Sequence, residues 1–196
     1  MTFYDPARLA RGSVGPSAER SNRRSADSES AASPDNAESA ASPESAEQSA
    51  ADRRHMLEAI EWARRCPPSE TAFSVGAVIV ADGAVLSTGY SRETDAKVHA
   101  EEAALNKLDP DDPRLAAATI YSTLEPCSQR GTVTRSPCTD RILAAGIPRV
   151  VIAWREPSTF VTNCVGVEKL REHGVTVVEL PDLAEAAMSM NRHLEL

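Results

Sequence analysis

Apolar residues recur at three- and four-residue spacing through Met56, Leu57, Ile60 and Ala63, and the pattern stops at Pro67-Pro68, which cannot continue a helix. This predicts a helix over residues 52–66. The run FSVGAVIV at 73–80 is apolar and β-branched, as a buried strand requires. Asp82-Gly83 is a hairpin turn signal, so residues 84–90 are expected to return as a second strand. Further along, helical patterns over 99–108, 137–145, 165–173 and 183–194 alternate with strand patterns over 118–123, 149–154 and 175–179. A helix, a hairpin and then alternating helices and strands predict a three-layer α/β/α domain around a five-stranded mixed sheet.

Composition changes this picture at one end. Residues 13–50 are almost entirely Ser, Ala, Glu, Asp, Asn, Gln, Pro and Arg, too polar to offset the entropy of ordering them. The expected organisation is therefore a disordered Ser/Ala/Glu-rich tail over 1–50 and one domain over 52–196.

The 196-residue chain carries a formal charge of −8, which disfavours capture of nucleic acid or anionic membrane by the whole surface. Aromatic residues make up only 4%, little material for stacking on single strands. No apolar run reaches the length of a membrane span. The first residues lack the apolar centre of a signal peptide, so a cytoplasmic protein is expected. Its four cysteines are then read as thiols or metal ligands rather than disulfides.

Two short segments carry the candidate chemistry, VHAEEAAL at 98–105 and TLEPCSQRGTVTRSPC at 123–138. One imidazole and two thiolates, His99, Cys127 and Cys138, are a common tetrahedral zinc set with one position left open. Zn2+ there would help a water lose its proton near neutral pH. Glu101, two residues after His99, is the candidate proton carrier, worth roughly two to four orders of magnitude in rate. The two side chains converge only if His99 occupies the first helical position. His-x-Glu followed by Pro-Cys and a second Cys is a signature of zinc deaminases, whose cysteines usually stand two residues apart. Here ten residues separate them. Taken singly, each of these residues is more often structural; together they point to catalysis.

These segments resemble the cytidine-deaminase-like superfamily, and within it the pyrimidine deaminases of riboflavin biosynthesis. The resemblance also covers SVGAVIV, GYSRE at 89–93, DRILAAGIPRVVIAWREPSTFV at 140–161 and LREHGVTVVEL at 170–180. GYSRE with REPSTFV looks closest to the fungal type. The resemblance implies a zinc-dependent CMP/dCMP-type deaminase domain over 52–196. The implied substrate is a diaminopyrimidinone with a ribosyl- or ribitylamino 5′-phosphate, and the reaction releases ammonia. It carries His99, Cys127 and Cys138 over as ligands and Glu101 as acid/base. The chain departs from bacterial relatives in having Thr71-Ala72 where they carry Asn-Pro, and Ser91 where they carry His.

Arg130 and Arg135 lie between the cysteines, with no acidic residue from Pro126 to Thr139, and are candidate phosphate contacts. Ser91 and Glu125 are further candidate substrate contacts. Trp154 is expected to pack, and Glu102 to be solvated. The expected partner is a small phosphorylated aminopyrimidine, not nucleic acid or membrane, with a homodimer left open. Two other readings stay open: a cytosine, nucleoside or nucleotide deaminase, including one of specialised metabolism, and a catalytically silent zinc-folded partner subunit.

Overall fold

The computed structural model describes residues 42–131, 134–155 and 164–194. The tail before residue 42 lies outside them. So do Thr132 and Val133 between the cysteines, and the REPSTFV stretch from Glu156 onward.

Helix α1 spans Pro43–Ala63, nine residues earlier than the period predicts. Residues 43–50, expected to belong to the disordered tail, are therefore helical. The start is well specified: the Ser42 side chain accepts from the Ser45 amide and Pro43 opens the first turn. These early turns are exposed and extend a helix whose packed half, Met56, Ala59, Ile60 and Ala63, is fully buried.

The sheet holds β1 (Gly76–Ala81), β2 (Ala84–Tyr90), β3 (Thr119–Ser122), β4 (Arg149–Ile152) and β5 (Thr176–Glu179), in the order β2-β1-β3-β4-β5. β1 runs antiparallel to β2 and β3, while β3, β4 and β5 run parallel, so the expected mixed sheet is present. The hairpin turn is as expected, with Asp82 at φ 51° and Gly83 at φ 72°, the two positive angles of a tight primed turn.

Alternation along the strands sets the layers. Ala77, Ile79, Ile120, Val150 and Ile152 face α2 (Ala100–Leu105), α3 (Cys138–Ala144) and α4 (Gly166–Glu172). Val78, Val80, Tyr121 and Val151 face α1 and α5 (Ala184–Met188). Gly76 and Gly89 bring helices close: an added Cβ would strike the Ala59 carbonyl and Ala63 amide in the first case, and the Ala100 carbonyl and Ala104 amide in the second.

The expected terminal helix over 183–194 shortens to α5 between 3-10 turns. Asn191 accounts for this: its buried side chain accepts from the Ser74 amide at 2.7 Å and donates to the Ser74 carbonyl at 3.0 Å, drawing the chain out of helical geometry. A 3-10 turn over Pro113–Ala117 escaped prediction, although Asp112 caps it. Beneath the other face, Arg149 makes a two-pronged contact to buried Asp52, at 2.8 and 2.6 Å, and Tyr121 Oη adds a third bond at 3.0 Å. Among the described residues, no helix is long and apolar enough to cross a membrane.

Candidate active site

Because β2 and β3 point the same way, the segments leaving their carboxyl ends emerge at one edge of the sheet, on either side of the start of β1. That edge is where open α/β sheets hold ligands. The segment after β2 delivers His99, and the segment after β3 delivers Cys127. Cys138 opens α3, and its amide donates to Cys127 Sγ at 3.4 Å.

His99 Nδ1 lies 3.5 Å from Cys127 Sγ and 3.6 Å from Cys138 Sγ. A tetrahedral zinc with ordinary Zn–N and Zn–S bonds sets its nitrogen and sulfur ligands about 3.6 Å apart, so the triangle has the size the ion needs. Among the described residues, this is the group of His, Cys, Asp or Glu side chains that could hold a metal, with donor atoms within 4.8 Å of one another. His55, Cys66, Cys164 and His173, weighed as fourth ligands of a closed site, are not part of it. Hydrogen bonding with Cys138 draws the Cys127 thiol down to about 4, while the same pairing and burial push Cys138 up. Burial pulls His99 down, but its hydrogen bond to Cys127 and the charge there outweigh burial and hold it up. A donor set in which one thiol already gives up its proton suits a cation.

His99 is not at the first helical position but one residue earlier, as the extended N-cap of α2 at φ −90°, ψ 163°. The extended backbone lets its side chain and that of Glu101 line the same cavity. Glu101 is 3% exposed, accepts from Ser122 Oγ at 2.9 Å, and is pushed up by burial.

The cavity, of about 240 Å³, has an apolar wall of Phe73, Val75 and Leu124, and Phe73 packs edge-on against Trp154. Ser91 and Glu125 line it too. Both also brace the backbone: Ser91 Oγ accepts from the Val75 amide, and Glu125 Oε1 from the Val167 amide.

Two expectations need correction. Glu102 is not solvated but 3% exposed. The inter-cysteine arginines are not free of carboxylates, because these arrive from other segments: Arg130 pairs with Glu102, and Arg135 with Asp95 and Glu102. Burial works against ionising Glu102, but the three arginines around it, Arg141 included, hold its carboxyl below the usual range. Lys97 and Gln129, which also line the cavity, were missed. Three arginines within 130–141 and few acids near them were the available sign that a carboxylate had to come from elsewhere.

Fold and site together define an α/β domain with a three-ligand zinc centre. Residues 49–154 match the family described as the cytidine and deoxycytidylate deaminase zinc-binding region, and the chain belongs to that family. It is 45% identical over 127 residues to a diaminohydroxyphosphoribosylamino-pyrimidine deaminase of Schizosaccharomyces pombe, a match covering 64% of this chain and 31% of that protein. Among solved structures, a diaminohydroxyphosphoribosylaminopyrimidine deaminase/5-amino-6-(5-phosphoribosylamino)uracil reductase from Thermotoga maritima superposes at TM-score 0.62 with 35% identity, over 73% of this chain and 40% of that one. The Rib2 deaminase of Aspergillus oryzae superposes at TM-score 0.62 with 25% identity, over 71% of this chain and 89% of that one. The chain thus spans about a third of the curated relatives' length.

Proposed function

We propose that this chain hydrolyses the exocyclic amine of an aminopyrimidine, releasing ammonia, and that its substrate is the diaminopyrimidinone ribosyl- or ribitylamino 5′-phosphate of riboflavin biosynthesis. The observation that carries the reading is Glu101, a buried carboxylate in the cavity wall beside the His99, Cys127 and Cys138 triangle but outside it. A purely structural zinc site has no use for such a group. The names of the relatives supply the substrate class.

His99, Cys127 and Cys138 would hold the zinc, which when bound would supply the Lewis acidity that eases deprotonation of water near neutral pH. Glu101 takes the first proton of the attacking water and delivers it to the ring nitrogen beside the carbon under attack; it then takes the second from the hydroxyl now on that carbon and gives it to the amine as the C–N bond breaks. Ser122 holds the carboxylate through its hydroxyl. Phe73, Val75 and Leu124 give a flat ring an apolar wall and exclude bulk water. We place this activity in the cytoplasm, on a free small molecule rather than on nucleic acid, in a chain working alone or as a homodimer.

The test is ammonia release from a panel: ribosyl and ribityl diaminopyrimidinone phosphates, cytosine, cytidine, dCMP and guanine. Turnover of the diaminopyrimidinone phosphates is expected. Turnover of cytosine or cytidine alone would replace the substrate assignment, and no turnover of any compound by zinc-loaded protein would favour the silent subunit.

A further inference from the structure

Glu102 follows the residue assigned to proton transfer, yet it faces a different set of groups. Burying a carboxylate this deeply is costly unless it is paired. Its partners are Arg130 Nη1 at 2.7 Å from Oε2, Arg141 Nη2 at 2.9 Å from Oε1, and Arg135 Nη1 at 3.5 Å from Oε1. Two of these come from the loop joining the cysteines and the third from the helix that Cys138 begins.

Arg130 is almost as buried as its partner, with its side chain 6% exposed. One prong of its guanidinium is committed to Glu102. The other edge, Nε and Nη2, is buried with no hydrogen-bond partner among the described residues. Leaving such donors unpaired is costly, and an incoming acceptor would relieve that cost. Arg130 lines the main cavity and also an adjoining one of about 190 Å³, shared with Lys97, His99, Gly131 and Arg135. A planar pair of N–H donors in a wall shared with Lys97 and Arg135 suits a ligand that only accepts, carries negative charge and offers two oxygens.

We propose that Glu102 is a positioning residue: it grips one prong of Arg130 and leaves the Nε/Nη2 edge unpaired at the cavity wall, and that edge binds a phosphate oxyanion of the substrate. This rests on the small-molecule reading above, but it can be tested separately from turnover.

The zinc-loaded full chain is titrated with inorganic phosphate by calorimetry. In parallel, KM is compared for a phosphorylated aminopyrimidine and its dephosphorylated analogue. Glu102→Gln keeps the side chain's shape and removes a negative charge beside the anion site. Electrostatics alone would then tighten phosphate binding. A positioning role requires the opposite, a loss of about tenfold, with KM rising more for the phosphorylated compound. Arg130→Lys keeps the charge but not the fork, and should weaken phosphate binding to a similar degree. Tighter or unchanged phosphate binding by Glu102→Gln overturns the proposal, as does a wild type that shows no saturable phosphate binding. Should Glu102→Gln fail to fold, Arg130→Lys with wild-type phosphate affinity overturns it, even if that variant loses zinc. If no panel compound is deaminated while the phosphate titrations come out as stated, the deaminase reading fails and the anion site stands.

Discussion

Ser122 Oγ donates to Glu101 Oε1 across 2.9 Å, and Ser122 itself is fully buried at the end of β3. The strand thereby aims the carboxylate that the helix start supplies. Glu101→Gln should abolish ammonia release while keeping about one zinc per chain, since the carboxylate moves protons and is not a ligand. Ser122→Ala should keep the zinc too, and lower kcat about ten- to a hundredfold through loose positioning. Metal content by elemental analysis beside the rate decides the matter, and loss of zinc in Glu101→Gln would make that residue a ligand.

Cys127→Ser and Cys138→Ser should each lose zinc and melt at lower temperature than the wild type. The three ligands join the β2–α2 connection, the segment after β3 and the start of α3, so metal binding energy is also folding energy. Chelator-stripped wild type should melt close to these variants. Full zinc occupancy in either variant would remove that cysteine from the ligand set.

The Asp52–Arg149 pair should give stability a defined pH dependence. Burial raises the Asp52 carboxyl, but bonds from Arg149 and Gln48 and the Arg149 charge outweigh it, so the group sits below its ordinary value. A depressed folded pKa means that its stabilisation is complete above the unfolded value, about 3.9, and fades as pH falls through the folded one. Asp52→Asn should cost about 2–3 kcal/mol at neutral pH, and the two urea midpoints should draw together as pH falls below the unfolded value. A gap that stays constant from pH 7 to pH 3 would contradict the ion-pair account.

Gly76→Ala should destabilise by about 3 kcal/mol, because the new methyl meets backbone atoms of Ala59 and Ala63 and α1 must lift from β1 to admit it. Gly131→Ala, with nothing within 4 Å of its added carbon, should change stability by no more than about 0.5 kcal/mol. Equal denaturant midpoints for the two variants would show the helix contact to be soft.

The legible parts of the chain were those whose signal is local. Asp82-Gly83 announced its turn because few residue pairs accept two positive φ angles, and FSVGAVIV announced a buried strand by its apolar run, although that strand begins only at Gly76. The His99, Cys127 and Cys138 group was legible because ligand chemistry restricts both residue type and order, and Glu101, which is not a ligand, was legible only from its place two residues after His99. Glu102 was not, because its burial depends on arginines 28 to 39 residues away, and separations of that kind leave no periodic trace. Asn191 was missed for a similar reason: its bonds to Ser74 bridge 117 residues and override a helical pattern that the nearby sequence supports. At the other end, Ser42 and Pro43 were a readable helix start hidden inside a segment whose composition read as tail.

The reversed direction of β1 also separates the molecule's working end from a spare one. The Asp82-Gly83 turn sits at the far end of a six-residue strand, about 20 Å from the edge that carries the ligands. A dye, an affinity peptide or an immobilising linker grafted between Asp82 and Gly83 would thus hang from the back of the sheet, leaving the mouth of the cavity clear for solute to enter and leave.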